Sequence, residues 1–168
     1  NSTISGLRSY SPIAASNTGT VSNCKTATES ESCQSVRGIL GSNKGTVKEC
    51  QVTITAKNGG VEALIDRNYS GSVELCYAAV TVESCHFFDG LASQNYAPFK
   101  NCTVSGQIAS TREDDFYWNG TANEGYGSEI LNCSLSVTDK RTGKILPIAP
   151  SYVEASEKTA TDTSPGSG

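Results

Sequence analysis

The 168-residue chain has no methionine, a single histidine (His86) and a single tryptophan (Trp118). No apolar run approaches the ~18 residues of a membrane-spanning helix, so no membrane insertion is expected. Basic residues are outnumbered, 13 Lys and Arg against 17 Asp and Glu, and they are scattered. A net charge of −4 without a basic patch argues against nucleic acid as a partner. Apolar residues make up only 36%, a thin supply for a helical bundle. Abundant Ser and Thr, with 16 Gly, point to a β-rich, turn-rich single domain. The first residue is Asn1 rather than Met, which reads as a mature or trimmed N-terminus and sets the expectation of an extracellular or cell-surface protein.

What the chain has in quantity is a repeat. Cys24, Cys50, Cys76 and Cys102 lie 26 residues apart, and Cys133 follows after 31. Three residues before these cysteines stand Val21, Val47, Val73, Phe99 and Ile130; seven before stand Asn17, Asn43 and Asn95, with Asn68 one place out of phase. Gly19, Gly45 and Gly71 precede the first three by five residues, and Ile13, Ile39, Ile65 and Leu91 precede the first four by eleven. Val52, Ala78, Val104 and Leu135 follow two residues after a cysteine. The register returns after the long turn, because PIAAS at 12–16 is echoed by PIAPS at 147–151.

A unit this short cannot bury an apolar face alone and must stack on its neighbours. The pattern predicts an all-β fold, a right-handed parallel β-helix of ~26-residue rungs with three short strands each and about five to six rungs. The glycines and asparagines are expected at tight bends that need φ > 0 or a local side-chain hydrogen bond. Residues 1–153 form this domain, with an insertion in the turn 106–127, and residues 154–168 (EASEKTATDTSPGSG) read as a tail or linker.

GILG at 38–41, followed by SNKGTVKECQVT, resembles the GLUG-type repeat of bacterial secreted and surface proteins, a right-handed β-helix of pectin-lyase-like kind. The resemblance implies an extracellular, non-catalytic repeat array, often part of something adhesive.

Cys24, Cys33, Cys50, Cys76, Cys85 and Cys102 are candidate disulfide residues, with Cys133 completing the column. Cys33 and Cys85 stand two rungs apart, ~9.6 Å, too far to pair with each other. Two symmetric pairings remain, Cys24–Cys33 with Cys76–Cys85 or Cys33–Cys50 with Cys85–Cys102, alongside free thiols. No CxxC is present and His86 is the only imidazole, so no metal site or other cofactor is expected. His86 and Cys85 are chain neighbours that point to opposite faces of a strand, which argues against a catalytic dyad.

The inserted turn TREDDFYWNGTANEGYG at 111–127 carries Asp114, Asp115, Tyr117, Trp118 and Tyr126. Aromatic faces beside carboxylates suit sugar binding, so these five are the candidate ligand residues; the bland alternative folds the aromatics inward. Tyr117 falls 26 residues beyond Leu91, a core position. Asn1, Asn68, Asn101, Asn119 and Asn132 head N-x-S/T sequons, candidates for glycosylation. Asp66 and Asp89, near equivalent bends, read as solvated acids; a polysaccharide-cleaving enzyme is a remote alternative because a strict period leaves little room for cleft-forming loops. The expected function is a structural or interaction module, presenting a surface or self-associating through its coil ends and C-terminal tail into a filament or layer, with glycans as alternative partners.

Overall fold

The computed structural model describes residues 2–111, 117–119, 122–123 and 129–146. Its strands follow the period. The first pass holds β1 (Ser2–Tyr10), β2 (Ala14–Asn17) and β3 (Thr20–Ser22); the second holds β4 (Lys25–Arg37), β5 (Leu40–Asn43) and β6 (Thr46–Lys48). The third holds β7 (Gln51–Ala56), β8 (Gly59–Glu62), β9 (Ile65–Asn68) and β10 (Ser72–Glu74). Then come β11 (Tyr77–Asp89), β12 (Ala92–Asn95) and β13 (Phe99–Lys100). The fifth pass holds β14 (Thr103–Ser110), β15 (Tyr117–Asn119), β16 (Ala122–Asn123) and β17 (Ile130–Leu131), and β18 (Ser134–Asp139) and β19 (Lys144–Leu146) follow.

Equivalent strands of successive passes pair in parallel and make three sheets. One wall is β2-β5-β9-β12-β16, another is β3-β6-β10-β13-β17, and the long wall runs β1-β4-β7-β11-β14-β18-β19 with β8 and β15 beside it. The chain is an all-β parallel solenoid of about four turns rather than five to six. Five strands in each of the two short walls enclose four full turns, and the PIAPS echo lies outside the described residues. The expected three strands per turn hold, one to each wall. The long wall bends partway, and in the third pass it divides into β7 and β8, with Gly59 at φ 142° as β8 begins.

The corner before each cysteine explains the pattern of inward residues. Asn23, Glu49, Leu75, Asn101 and Asn132 all adopt φ between 52° and 55°. A left-handed residue reverses the pleat, so the residue three places before the cysteine and the cysteine itself both face inward. Val47, Val73, Phe99, Cys76 and Cys102 are accordingly 0% exposed. Each fully buried Val or Phe contributes roughly 1.5–3 kcal/mol. At the glycines five places before the cysteine both expected devices occur: Gly71 is left-handed (φ 83°), while Gly19 and Gly45 each donate an N–H to the ladder asparagine two residues before, at 3.1 Å. Gly45 also serves close approach: a Cβ there would lie 2.0 Å from the carbonyl oxygen of Gly19.

The expected columns survive with one shift. Ser35 pairs with Gly60, 25 residues on, after an irregularity beside Cys33, so the third pass runs one residue short. Leu64 rather than Ile65 therefore shares a column with Ile39 and Leu91, while Ile65 pairs with Leu40 and Ala92. The residue is regained where Tyr69 N and Ser70 N both donate to the Asn43 carbonyl, at 2.8 and 3.3 Å.

The long wall ends in a reversal that the repeat did not announce. β19 pairs antiparallel with β18, Thr138 opposite Ile145. Gly143 (φ 73°) donates its N–H to the Asp139 carbonyl at 2.8 Å, and Arg141 N–H donates to the Asp139 carboxylate at 3.0 Å.

Candidate functional site

Two short walls meet at a bend held by an internal asparagine ladder. Nδ2 of Asn17 donates to Oδ1 of Asn43 at 2.9 Å, Asn43 to Asn68 at 3.0 Å, and Asn68 to Asn95 at 2.9 Å. The Asn17 and Asn43 rungs are also fixed locally: Asn43 donates to the Gly45 carbonyl at 3.0 Å and accepts from Gly45 N–H at 3.1 Å, and Asn17 bonds Gly19 in the same way. Asn68, one place out of phase by spacing, stands in register through the short third pass.

The residue after each ladder asparagine faces outward. Tyr69 and Tyr96 stack there with ring centroids 6.2 Å apart and planes 4° from parallel. The Lys44 ammonium lies 5.8 Å from the Tyr69 ring centroid, and Arg67 donates to the Tyr69 hydroxyl at 3.1 Å. Both rings are about a third exposed, 37% and 36%. Sequence reasoning missed this stack, although the NY dipeptides at 68–69 and 95–96 marked it. It forms an ordered strip of aromatic edges and cations on the wall.

A second polar group joins the end of the long wall to β9. Glu62 sits in register with Arg37 and Asp89. It is only 5% exposed and accepts from the Ser35 hydroxyl at 2.6 Å. Burial pushes its carboxyl up to about 7, against the lowering effect of the Ser35 hydrogen bond, with Asp66 adding repulsion. Arg37 pairs with Asp66 at 3.0 Å, so Asp66 is ion-paired rather than merely solvated, and Asp89 is 2% exposed.

All seven cysteines are free thiols. Both symmetric pairings fail on register. Cys24 and Cys33 are separated by the extended β4, and Cys33 sits opposite Gly59, nine residues beyond Cys50. At ~3.3 Å per residue, even the straight part of that wall exceeds the ~7 Å limit for bridged Cα atoms. The same holds for Cys85, which lies within β11 and aligns with Gly59 and Ser110. Burial pushes the Cys85 thiol up to about 12. The exposed ring of His86 meets Thr111 Oγ1 at 3.2 Å.

Of the sequons, Asn101 and Asn132 are exposed at the corner, with Asn132 donating to Asn101 at 2.6 Å. Asn68 is fully buried with its amide nitrogen bonded in the ladder, which leaves no room for a sugar on the folded chain. Asn119 is placed by its backbone in β15, and Asn1 lies outside the described residues.

Asp114, Asp115 and Tyr126 also lie outside the described residues. Tyr117 and Trp118 belong to β15, where they pair with Phe87 and Phe88 rather than following Leu91. Trp118 thus takes the register position of Val36, Val61 and Phe88, all at most 1% exposed.

Stacked identical side chains on parallel rungs define the chain as a β-solenoid repeat protein. In comparison with known proteins it matches no family model, no curated protein and no solved structure.

Proposed function

We propose that the chain is a structural and interaction module, a β-solenoid rod that presents its side wall to a partner or stacks end to end. The observation that carries this is the outward strip of Lys44, Tyr69 and Tyr96, set on a bend whose internal hydrogen bonds fix it from rung to rung. Tyrosine supplies large contact area at low entropic cost, and adjacent cations give it orientation. A GLUG-type, extracellular, adhesin-like or filament-forming identity belongs to the same proposal and is supported by the 38–53 motif. Sedimentation of the purified chain across a concentration range tests assembly, with Tyr69→Ala/Tyr96→Ala as the wall variant. Association that weakens in the variant is expected; a strict monomer at every concentration, with no partner captured through the wall, overturns it.

Carbohydrate binding is the second reading, favoured by the exposed tyrosines and by the aromatic sequence that enters at β15. A glycan array probed with the parent chain, Trp118→Ala and Tyr96→Ala separates the two surfaces. Binding lost with Trp118→Ala alone supports the loop; a blank array removes this reading.

A further inference from the structure

The column cysteines form a one-dimensional row of thiols. Cys24, Cys50, Cys76, Cys102 and Cys133 share one conformation, each Sγ lying 3.3–3.5 Å from the carbonyl oxygen two residues before it. Their backbones are joined by equal bonds: Gln51 N–H to Cys24 O, Tyr77 N–H to Cys50 O, Thr103 N–H to Cys76 O and Ser134 N–H to Cys102 O, each 2.9 Å. Equal rotamers on equally bonded rungs repeat the sulfur at the rung spacing, ~4.8 Å.

That spacing excludes one chemistry and suits another. A disulfide needs sulfurs at ~2.05 Å and Cβ atoms near 3.8 Å, which parallel side chains on adjacent rungs do not reach. An ion bonded to two thiol sulfurs in line, at ~2.3 Å each, needs them ~4.6 Å apart. Among the described residues no group of three or more His, Cys, Asp or Glu gathers to hold a metal, so zinc and other four-coordinate ions lack a site. Soft monovalent ions take thiolate ligands. Two sulfurs in a buried, apolar core are a sufficient set for them.

We propose that the thiol row binds a soft monovalent cation, Cu(I) or Ag(I), between sulfurs of adjacent rungs, centred on Cys76. On binding, one thiol loses its proton to solvent and its sulfur bonds the ion, while the neighbouring thiol donates a sulfur lone pair and keeps its proton. One positive charge replaces another, so the core stays neutral. Cys76 is the natural anchor because it stands at the centre of the row, flanked on both sides by fully buried thiols, Cys50 and Cys102. Half-buried Cys24 and Cys133 at the two ends of the row offer the ion an entry.

The test is anaerobic titration of the reduced full chain with Ag(I), and separately with Cu(I). Expected are stoichiometric uptake, one proton released per first ion, a raised melting temperature and two sulfur neighbours at ~2.2–2.4 Å by X-ray absorption. Cys76→Val, which keeps an apolar core residue, weakens uptake at least tenfold, and Cys33→Ala/Cys85→Ala leaves it unchanged. Cys102→Val replaces Cys76→Val should that variant lose its β circular dichroism. Uptake only after unfolding, equal uptake by Cys76→Val, loss of uptake in the Cys33/Cys85 variant, or tetrahedral Zn(II) binding by the native row would each overturn the assignment.

Discussion

Glu62 concentrates the electrostatic strain of the molecule in one side chain. The fold raises its carboxyl from 4.5 to about 7, chiefly by burial, with Ser35, Arg37, Asp66 and Asp89 around it. A carboxyl whose folded pKa exceeds its unfolded value is held protonated by the native state. Its contribution is complete below pH 4.5 and is lost as the pH rises through 7. At ~1.4 kcal/mol per pKa unit, the loss is on the order of 3 kcal/mol. Urea midpoints between pH 5 and 9 are expected to fall with rising pH, and Glu62→Gln to flatten the upper part of that curve. An unchanged slope in the variant would place the titration elsewhere. None of this was legible from sequence. Asp66 and Asp89 looked like solvated acids because spacing does not reveal that Glu62 shares a column with Arg37 and Asp89.

Between single residues and the whole coil lie the ladders and strands. Asn43 makes two buried bonds along its ladder and two part-buried ones to Gly45. Asn43→Ala strands Asn17 and Asn68 as buried polar groups, each worth about 1–3 kcal/mol. A loss of about 3 kcal/mol or more is expected in chemical denaturation, against less than about 0.5 kcal/mol for an exposed position such as Lys48→Ala. The inward columns were readable because the same residue types recur at one phase: Val, Val, Val, Phe and Ile, then Cys. Asn68 was not, because a residue lost beside Cys33 and regained at Ser70 cancels before the next cysteine. A period counts totals and is blind to compensating shifts. β19 escaped for a different reason: its turn chemistry, TDKRTGK, lies beyond the last cysteine and breaks the parallel rule instead of repeating it.

Across the whole molecule, burial grades along the coil. Cys50, Cys76 and Cys102 are at most 1% exposed, whereas Cys24 and Cys133 are half-buried, as are Val21 and Ile130 in the neighbouring column. Rungs that contact only their neighbours unfold from the ends. Hydrogen exchange is therefore expected to be slowest at the amides of Tyr77 and Thr103, and faster at Asn23 and Ser134 toward the two ends of the stack. Uniform protection from β3 to β17 would mean that the coil opens as one unit. No described helix is long and apolar enough to cross a membrane.

The long wall also carries its own editing point. Two residues separate Cys85 from Phe87, but seven separate their partners, Ser110 and Tyr117. The coil nonetheless returns to register, Phe99 opposite Ile130 and Thr103 opposite Ser134. Foreign sequence spliced between Ser110 and Tyr117 would thus be carried as cargo while the ladders above and below keep their alignment. A rod with such a slot can change what it displays without relearning how to fold.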